Sequence, residues 1–402
     1  MAEPRRRQYG SGSVFQRKDG IWIGRFQAGT DRNGKPRRIE VSAATEVRAK
    51  EKLEAKKREI ARTGLPDTTT GKTATVAEWA PVWLAQEEER NRPNAYKNKA
   101  SNVRRWIIPT IGHRRLVALT PADVRAVLDA MRKAGRAPST RLHAHTDMML
   151  MFRAAMIEGH DIPQRVLMVP RPQLGEDDRE ALPIADAHAV LAVAIHRPDA
   201  SAWVATFLQG LRQGERLGLT WDHVDLDRGV IDVSWQLQSL PYKIPRDRSS
   251  GFRVPDNYVA KHLVDAFHLV RPKTKRSRRV IPLVPWMRQA LIDWREIAPA
   301  SPYNLVWPNA KGRPQRAEAD RAFWAALQDE AGVRHPAGRR YVLHEARHTT
   351  ATLLRELEVP VEVIEAILGH AKFVEAYDHA DRLEASRGAL VQLAERLSLP
   401  TG

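Results

Sequence analysis

The stretch Leu343-His344-Glu345-Ala346-Arg347-His348-Thr349 sets an imidazole and a guanidinium three residues apart, so on a helix His344 and Arg347 share a face. A titratable ring beside a permanent cation suits a phosphate in transit, with His348 in support. A metal reading is weaker, because Arg347 would crowd a cation held between His344 and His348. In Gln209-Gly210-Leu211-Arg212-Gln213-Gly214-Glu215 two glycines bracket Arg212, so its guanidinium leaves on a tight turn and Glu215 orients it through a charge-assisted bond. Arg271-Pro272-Lys273-Thr274-Lys275 joins two strand-like runs, which predicts Lys273 on a hairpin within reach of a ligand. Ile364 to Leu368 ends a helix at Gly369, with His370 directly beyond it and Tyr377 seven residues later. A phenol, with a pKa of about 10, becomes a nucleophile only beside cations and a proton acceptor. Taken singly, each group has a commoner structural explanation: a solvated arginine, a capping pair, a packed tyrosine.

Residues 212 to 377 must therefore be folded together by one domain. Residues 180–402 read as that domain, mainly helical with a small antiparallel sheet, including strands at Val230 to Trp235, Phe267 to Val270 and Arg279 to Leu283. Between Gln236 and His268 periodicity is weak and prolines recur, which predicts an irregular insertion. Upstream, residues 72–168 read as an all-helical bundle: Thr75 with Glu78 forms a capping box, and Thr120-Pro121 opens a further helix. Residues 1–65 read as a separate module. Val14-Phe15, Ile21 to Phe26 and Arg37 to Val41 alternate as three short strands, and Thr45 to Ala61 has helical composition. The fold class expected is multidomain α+β: a small three-stranded sheet plus helix, a helical bundle and a mainly helical last domain.

The chain has 402 residues and a formal net charge of +17, which points to a polyanionic partner. Residues 1–65 alone hold 17 Lys and Arg against 8 Asp and Glu. Trp22, Arg25, Arg37 and Arg38 in this module are candidate nucleic-acid contacts, as are Lys99, Arg104 and Arg141 in the bundle and Lys275 and Arg278 in the last domain. The chain contains no cysteine, which excludes disulfides, thiolate metal sites and cysteine nucleophiles. No apolar run approaches a membrane span and the start lacks a signal sequence, so no membrane association and a cytoplasmic location are expected.

Arg212, Lys273, His344, Arg347, His370 and Tyr377 stand in an order that resembles the tyrosine recombinases of the phage integrase family. The matching text is GLRQGERLGLTW, RPKTKRSRRVIPL, LHEARHTTATLL and ILGHAKFVEAYDHA. The resemblance covers residues 180 to 395, extends loosely to a core-binding domain at 72–168, and adds an arm-type DNA-binding domain through GSVFQRKDGIWIGRF. It implies phosphate clamping by Arg212 and Arg347, leaving-group protonation by Lys273, acid-base roles for His344 and His370, and Tyr377 as nucleophile.

The same resemblance implies site-specific cleavage and rejoining of DNA without a cofactor or a metal, integrating or excising a phage or other mobile element. Its partners would be double-stranded DNA with core-type and arm-type sites, a homotetramer on that DNA, and a DNA-bending accessory or directionality factor. Its setting would be the bacterial cytoplasm, at the nucleoid when bound. Two departures stand out: the interval from His370 to Tyr377 is about two residues shorter than is usual, and Glu345-Ala346 replaces the commoner acidic-leucine pair. The alternatives are a degenerate recombinase acting only as a DNA-binding regulator and a type IB topoisomerase-like relaxing enzyme.

Overall fold

The computed structural model describes residues 12–30, 36–63, 74–175, 180–274, 277–369 and 379–399. They form two compact units, one drawn from residues 1–87 and 97–173, the other from 88–96 and 174–402.

In the first unit β1 (Ser13–Gln16), β2 (Trp22–Thr30) and β3 (Pro36–Ala43) make an antiparallel sheet in that order, and α1 (Glu46–Thr63) packs on it. Strand alternation turns Phe26 and Ala28 toward the helix, where they are buried with Leu53 against Val14, Ile39, Val41 and Ile60. The same alternation corrects one expectation. Trp22 and Arg25 are three apart on β2 and so point to opposite faces; Trp22 shares the helix-side parity of Gly24 and Phe26. Arg25 stands on the open face, 5.1 Å from the Phe15 ring centre, with Arg38 and Glu40 across from Gln27 and Arg25 on β3.

The helices that follow are α2 (Val76–Arg90), α3 (Pro93–Asn102), α4 (Ile108–Ile111), α5 (Pro121–Lys133), α6 (Pro138–Ile157) and α7 (Gln164–Leu167). Both caps read from the sequence are made. The Thr75 N–H donates to Glu78 at 2.7 Å and the Thr120 N–H to Asp123 at 2.8 Å. After α3 the chain changes to a π-helical turn at Val103–Ile107. Pro109 has no N–H to donate back to residue 105, so regular α-helical bonding is interrupted there.

The second unit contains α8 (Ile184–Ala194), α9 (Ala200–Phe207), α10 (Gln213–Leu217), then β4 (Val224–Asp225), β5 (Val230–Val233), β6 (Gln236–Ser239), β7 (Ala260–Val264), β8 (Phe267–Val270) and β9 (Arg279–Pro282). It continues through α11 (Pro285–Ile297), α12 (Ala317–Glu330), α13 (Leu343–Glu356), α14 (Val361–Leu368) and α15 (His379–Arg396). One large core built on Trp203, Phe207, Trp324, Leu354 and Leu390 joins helices from both ends of this unit.

Two expectations fail here. Instead of one small sheet, the described residues form two of three strands, ordered β4-β5-β9 and β6-β8-β7. The 236–268 stretch is therefore not wholly irregular: its short strands are held by a local cluster of Leu217, Trp235, Leu237 and Leu269, too small to leave a periodic signal. Nor does Lys273 sit on a hairpin. Val233 pairs with Arg279 and Gln236 with Val270, so Lys273 lies on a segment, described over 271–274 and 277–278, that separates two paired stretches of one long ribbon.

Candidate active site

The chain leaves α9 through Gly210, whose φ is 56°, and a Cβ there would lie 2.5 Å from Leu368. Glycine meets both conditions without strain, whereas any side chain there would displace Leu368 and hold an unfavourable φ. Arg212 then emerges as the N-cap of α10. The Glu215 carboxylate accepts the Arg212 N–H at 3.0 Å and its guanidinium at 2.6 Å, so one side chain fixes both backbone and fork. Helix α10 is seated from behind by Asp320 of α12, which accepts from Arg216 at 2.6 Å and Gln213 at 2.7 Å. Arg216 and Asp320 are both buried, and the Arg216 guanidinium lies 4.6 Å from the Trp203 ring centre.

Helix α13 starts where Glu345 accepts the Val342 N–H at 2.6 Å. That carboxylate is buried and paired with Arg339 at 2.7 Å, so it is committed to structure rather than to a ligand between His344 and His348. Ala346, Leu353 and Leu354 face the core, which turns His344 outward. The His348 ring meets His344 edge-on, with centres 4.7 Å apart.

Arg347 is 2% exposed, and its fork donates to the carbonyls of Gly210 and Leu368. It thereby joins the exit of α9 to the C-terminus of α14. Arg279, which the sequence reading passed over, does a parallel job: it donates to both Glu215 oxygens at 3.2 and 2.9 Å and to the Ile367 carbonyl at 2.6 Å. Its neighbours in sequence are basic too, so composition alone does not single it out. A signal existed in the strand pattern, since Arg279 and Ile281 share the inward parity that Arg278 and Val280 lack.

Electrostatics follow from this packing. Burial by itself would raise the Glu215 carboxyl, but Arg279 and Arg212 overturn that and hold it at about 2. Burial and then the cations Arg279 and Arg212 pull Arg347 down to about 9, against the opposite pull of Glu215. It stays charged at neutral pH, and the surplus positive potential is what an anion would relieve. Tyr341 is the last tyrosine before Tyr377 in the sequence. Burial and Asp186, to which its hydroxyl donates at 3.2 Å, push it up to about 12, the reverse of nucleophile activation.

Arg212, His344 and Arg347 meet around one cavity of about 210 Å³, whose wall also includes Gln213, Arg321 and Val342 and, among the described residues, holds no carboxylate. Lys273 is exposed, in the described stretch 271–274 that follows β8, and is not part of that wall. Lys275, His370 and Tyr377 lie outside the described residues, as does the side chain of Arg37. Arg38, Arg104 and Arg278 are exposed and Arg141 is half-buried. Lys99, expected to meet a backbone phosphate, is instead paired with Glu87 and lies 5.5 Å from the Trp83 ring centre. Among the described residues no group of three or more His, Asp or Glu is placed to hold a metal ion.

The phage integrase family matches residues 197–383, and the phage integrase N-terminal SAM-like domain matches residues 75–131. An integrase of Streptomyces ambofaciens is 29% identical over 91% of each chain. An integrase of Saccharopolyspora erythraea is 24% identical over 90% of each. Among solved structures, the Tn1549 transposon integrase in complex with a circular intermediate DNA has a TM-score of 0.61 at 18% identity, over 78% of this chain and 99% of that one. A lambda integrase tetramer bound to a Holliday junction gives 0.57 at 16%, over 91% of this chain and 97% of that one. At such identities these two establish the fold. A helix-rich domain that closes two guanidiniums and an imidazole around one cavity defines, together with these relatives, a tyrosine-type site-specific recombinase. The chain belongs to the phage integrase family.

Proposed function

We propose that this recombinase breaks and rejoins DNA through a 3′-phosphotyrosine intermediate formed by Tyr377. The observation that carries this reading is the convergence of Arg212, His344 and Arg347 on one cavity, which among the described residues is lined without a carboxylate. A phosphodiester bound there meets two forks matched to its non-bridging oxygens, and charge developing on those oxygens is stabilised by donors worth about 3 kcal/mol each. His344 accepts the phenol proton as the Tyr377 oxygen bonds to phosphorus. The bond from phosphorus to the 5′ oxygen breaks, and Lys273 supplies that oxygen with its proton. His370 assists as the second histidine. The 5′ hydroxyl of another strand reverses the sequence, and because the ester energy is kept in the protein link, neither ATP nor another cofactor enters. The guanidiniums take the charge-neutralising part that a divalent metal has in other phosphoryl-transfer sites.

The domain roles follow the same reading: residues 1–65 take arm-type DNA, 72–168 take core-type DNA with Arg104 and Arg141, and 180–402 carry the chemistry. Arg25 and Arg38 on the open face of the N-terminal sheet contact the arm-type backbone. Two rounds of exchange within a homotetramer join two sites through a four-way junction, and a DNA-bending or directionality factor sets the outcome for a phage or other mobile element. No described helix is long and apolar enough to cross a membrane. Work on DNA at the nucleoid of a bacterial cytoplasm fits that and the net charge of +17.

The test is covalent capture. A nicked suicide duplex carrying the crossover site becomes linked to the wild-type chain, and Tyr377→Phe forms no adduct. An adduct that persists in Tyr377→Phe overturns the nucleophile assignment. DNA binding by the wild-type chain without adduct or strand exchange marks it as a regulator, and relaxation of arbitrary supercoiled plasmid marks it as a topoisomerase.

A further inference from the structure

Lys273 is the one proposed participant in this chemistry, among the described residues, that lies on a loop rather than on a buried scaffold. It is exposed, and among the described residues its ammonium has no ion-pair partner. Yet the main chain that carries it is held closely. The Arg92 guanidinium donates to three successive carbonyls of the loop, those of Arg271 at 3.1 Å, Pro272 at 2.9 Å and Lys273 at 3.4 Å. Residues 88–96 belong to the same compact unit as this loop.

The segment around Arg92 is itself fastened to the 236–268 stretch. The Arg92 guanidinium lies 5.7 Å from the Tyr258 ring centre. Arg253 pairs with Glu88 at 2.7 Å and lies 5.8 Å from the Tyr96 ring centre. The same flank of the loop is held a second time: Arg271 donates to the Ser234 carbonyl at 3.2 Å and stacks 3.8 Å from the Trp235 ring centre. Backbone fixed on the flank that carries the lysine, with the ammonium at the end of a flexible side chain, is what a proton donor on a loop requires, since misplacement by about 1 Å costs on the order of a hundredfold in rate.

We propose that Arg92 is a positioning residue for leaving-group protonation: it sets the backbone at 271–273 so that the Lys273 ammonium reaches the departing 5′ oxygen. The 236–268 stretch supplies the surface that holds Arg92 in place. The inference rests on the Lys273 role stated above. It requires the planar fork, because the three carbonyls are met from two nitrogens at a fixed spacing, which the single nitrogen of an ammonium does not reproduce.

The experiment compares the full-length wild-type chain with Arg92→Gln, Arg92→Lys and Lys273→Ala on two suicide duplexes. The duplex sequence is selected from a randomised pool by covalent capture on the wild-type protein. The two differ in one atom, the bridging 5′ oxygen of the scissile phosphate being replaced by sulfur in the second. A departing thiolate, whose conjugate acid has a pKa of about 8.5, leaves without a proton, whereas an alkoxide does not.

The expected result is a loss of cleavage on the order of tenfold to a hundredfold with the oxygen duplex for both Arg92 variants. Cleavage of the sulfur duplex stays close to wild type for both. Arg92→Lys keeps the charge, so its binding and salt dependence remain those of the wild type. An equal deficit on both duplexes means that Arg92 acts on folding or DNA retention, and overturns the proposal. Failure of the sulfur duplex to rescue Lys273→Ala removes the Lys273 role itself, an outcome distinct from the first.

Discussion

The cavity cluster of the second unit and the sheet of the first are both rich in arginine, yet they carry charge in opposite ways. Around the cavity, Arg216 with Asp320 and Arg279 with Glu215 are buried, and every fork has carbonyl or carboxylate partners aimed at it. In the N-terminal module, pairs such as Lys50 with Glu46 and Arg25 with Glu40 stand largely in water. Exposed pairs are worth about 0–1 kcal/mol and fade with salt. Buried charges are costly unless fully paired, so they persist only in a fixed geometry. A site for chemistry needs the buried arrangement, and a surface that tracks a phosphate backbone works with the exposed one.

The sharpest way to break this contrast is Asp320→Ala, which strands Arg216 in the core. A loss of about 3–5 kcal/mol in a denaturant melt is expected, against nothing comparable for any exposed pair. Arg347→Ala comes next: cleavage by the full chain falls on the order of a hundredfold to a thousandfold in the adduct assay, with DNA retention little changed.

Glu215→Gln tests the buried carboxylate by pH. Its folded pKa lies below the usual 4.5, so its stabilisation is present above that value and disappears as pH falls toward about 2. The shift corresponds to about 3 kcal/mol near neutrality, and the variant loses both that stability and this part of the acid limb. The smallest effects belong to the open sheet face. Arg25→Ala or Arg38→Ala changes stability by less than about 0.5 kcal/mol. Each lowers the slope of binding against salt on arm-type DNA by about 0.9 for every phosphate that the substitution leaves without its cation.

The same division explains what was legible from the chain alone. Arg212 with Glu215, and His344 with Arg347, are positioned by turns and helix faces a few residues long, so their local context suffices. Arg279 is assigned by a pairing with Glu215 across 64 residues, which leaves no local trace beyond the strand parity that Arg279 shares with Ile281. The Lys273 loop was misread for a related reason. Strands of four residues on either side look like one hairpin until pairing shows that the loop interrupts a ribbon. Trp22, offered as a nucleic-acid contact, shares the helix-side parity of Gly24 and Phe26, whereas Arg25 stands on the open face. The role of Pro109 was there to see, but whether its missing N–H ends a helix or bends it into a wider turn depends on the packing of Val103 and Ile107.

The grip of Arg347 on the carbonyls of Gly210 and Leu368 has an evolutionary corollary. One fork here ties together two distant chain segments and faces the cavity as well, so lysine cannot substitute for either task. Selection for a sound fold alone would preserve this arginine in a lineage that had abandoned strand exchange. Its presence in a descendant is therefore poor evidence of activity, and erosion should be sought first at positions whose loss leaves the scaffold intact.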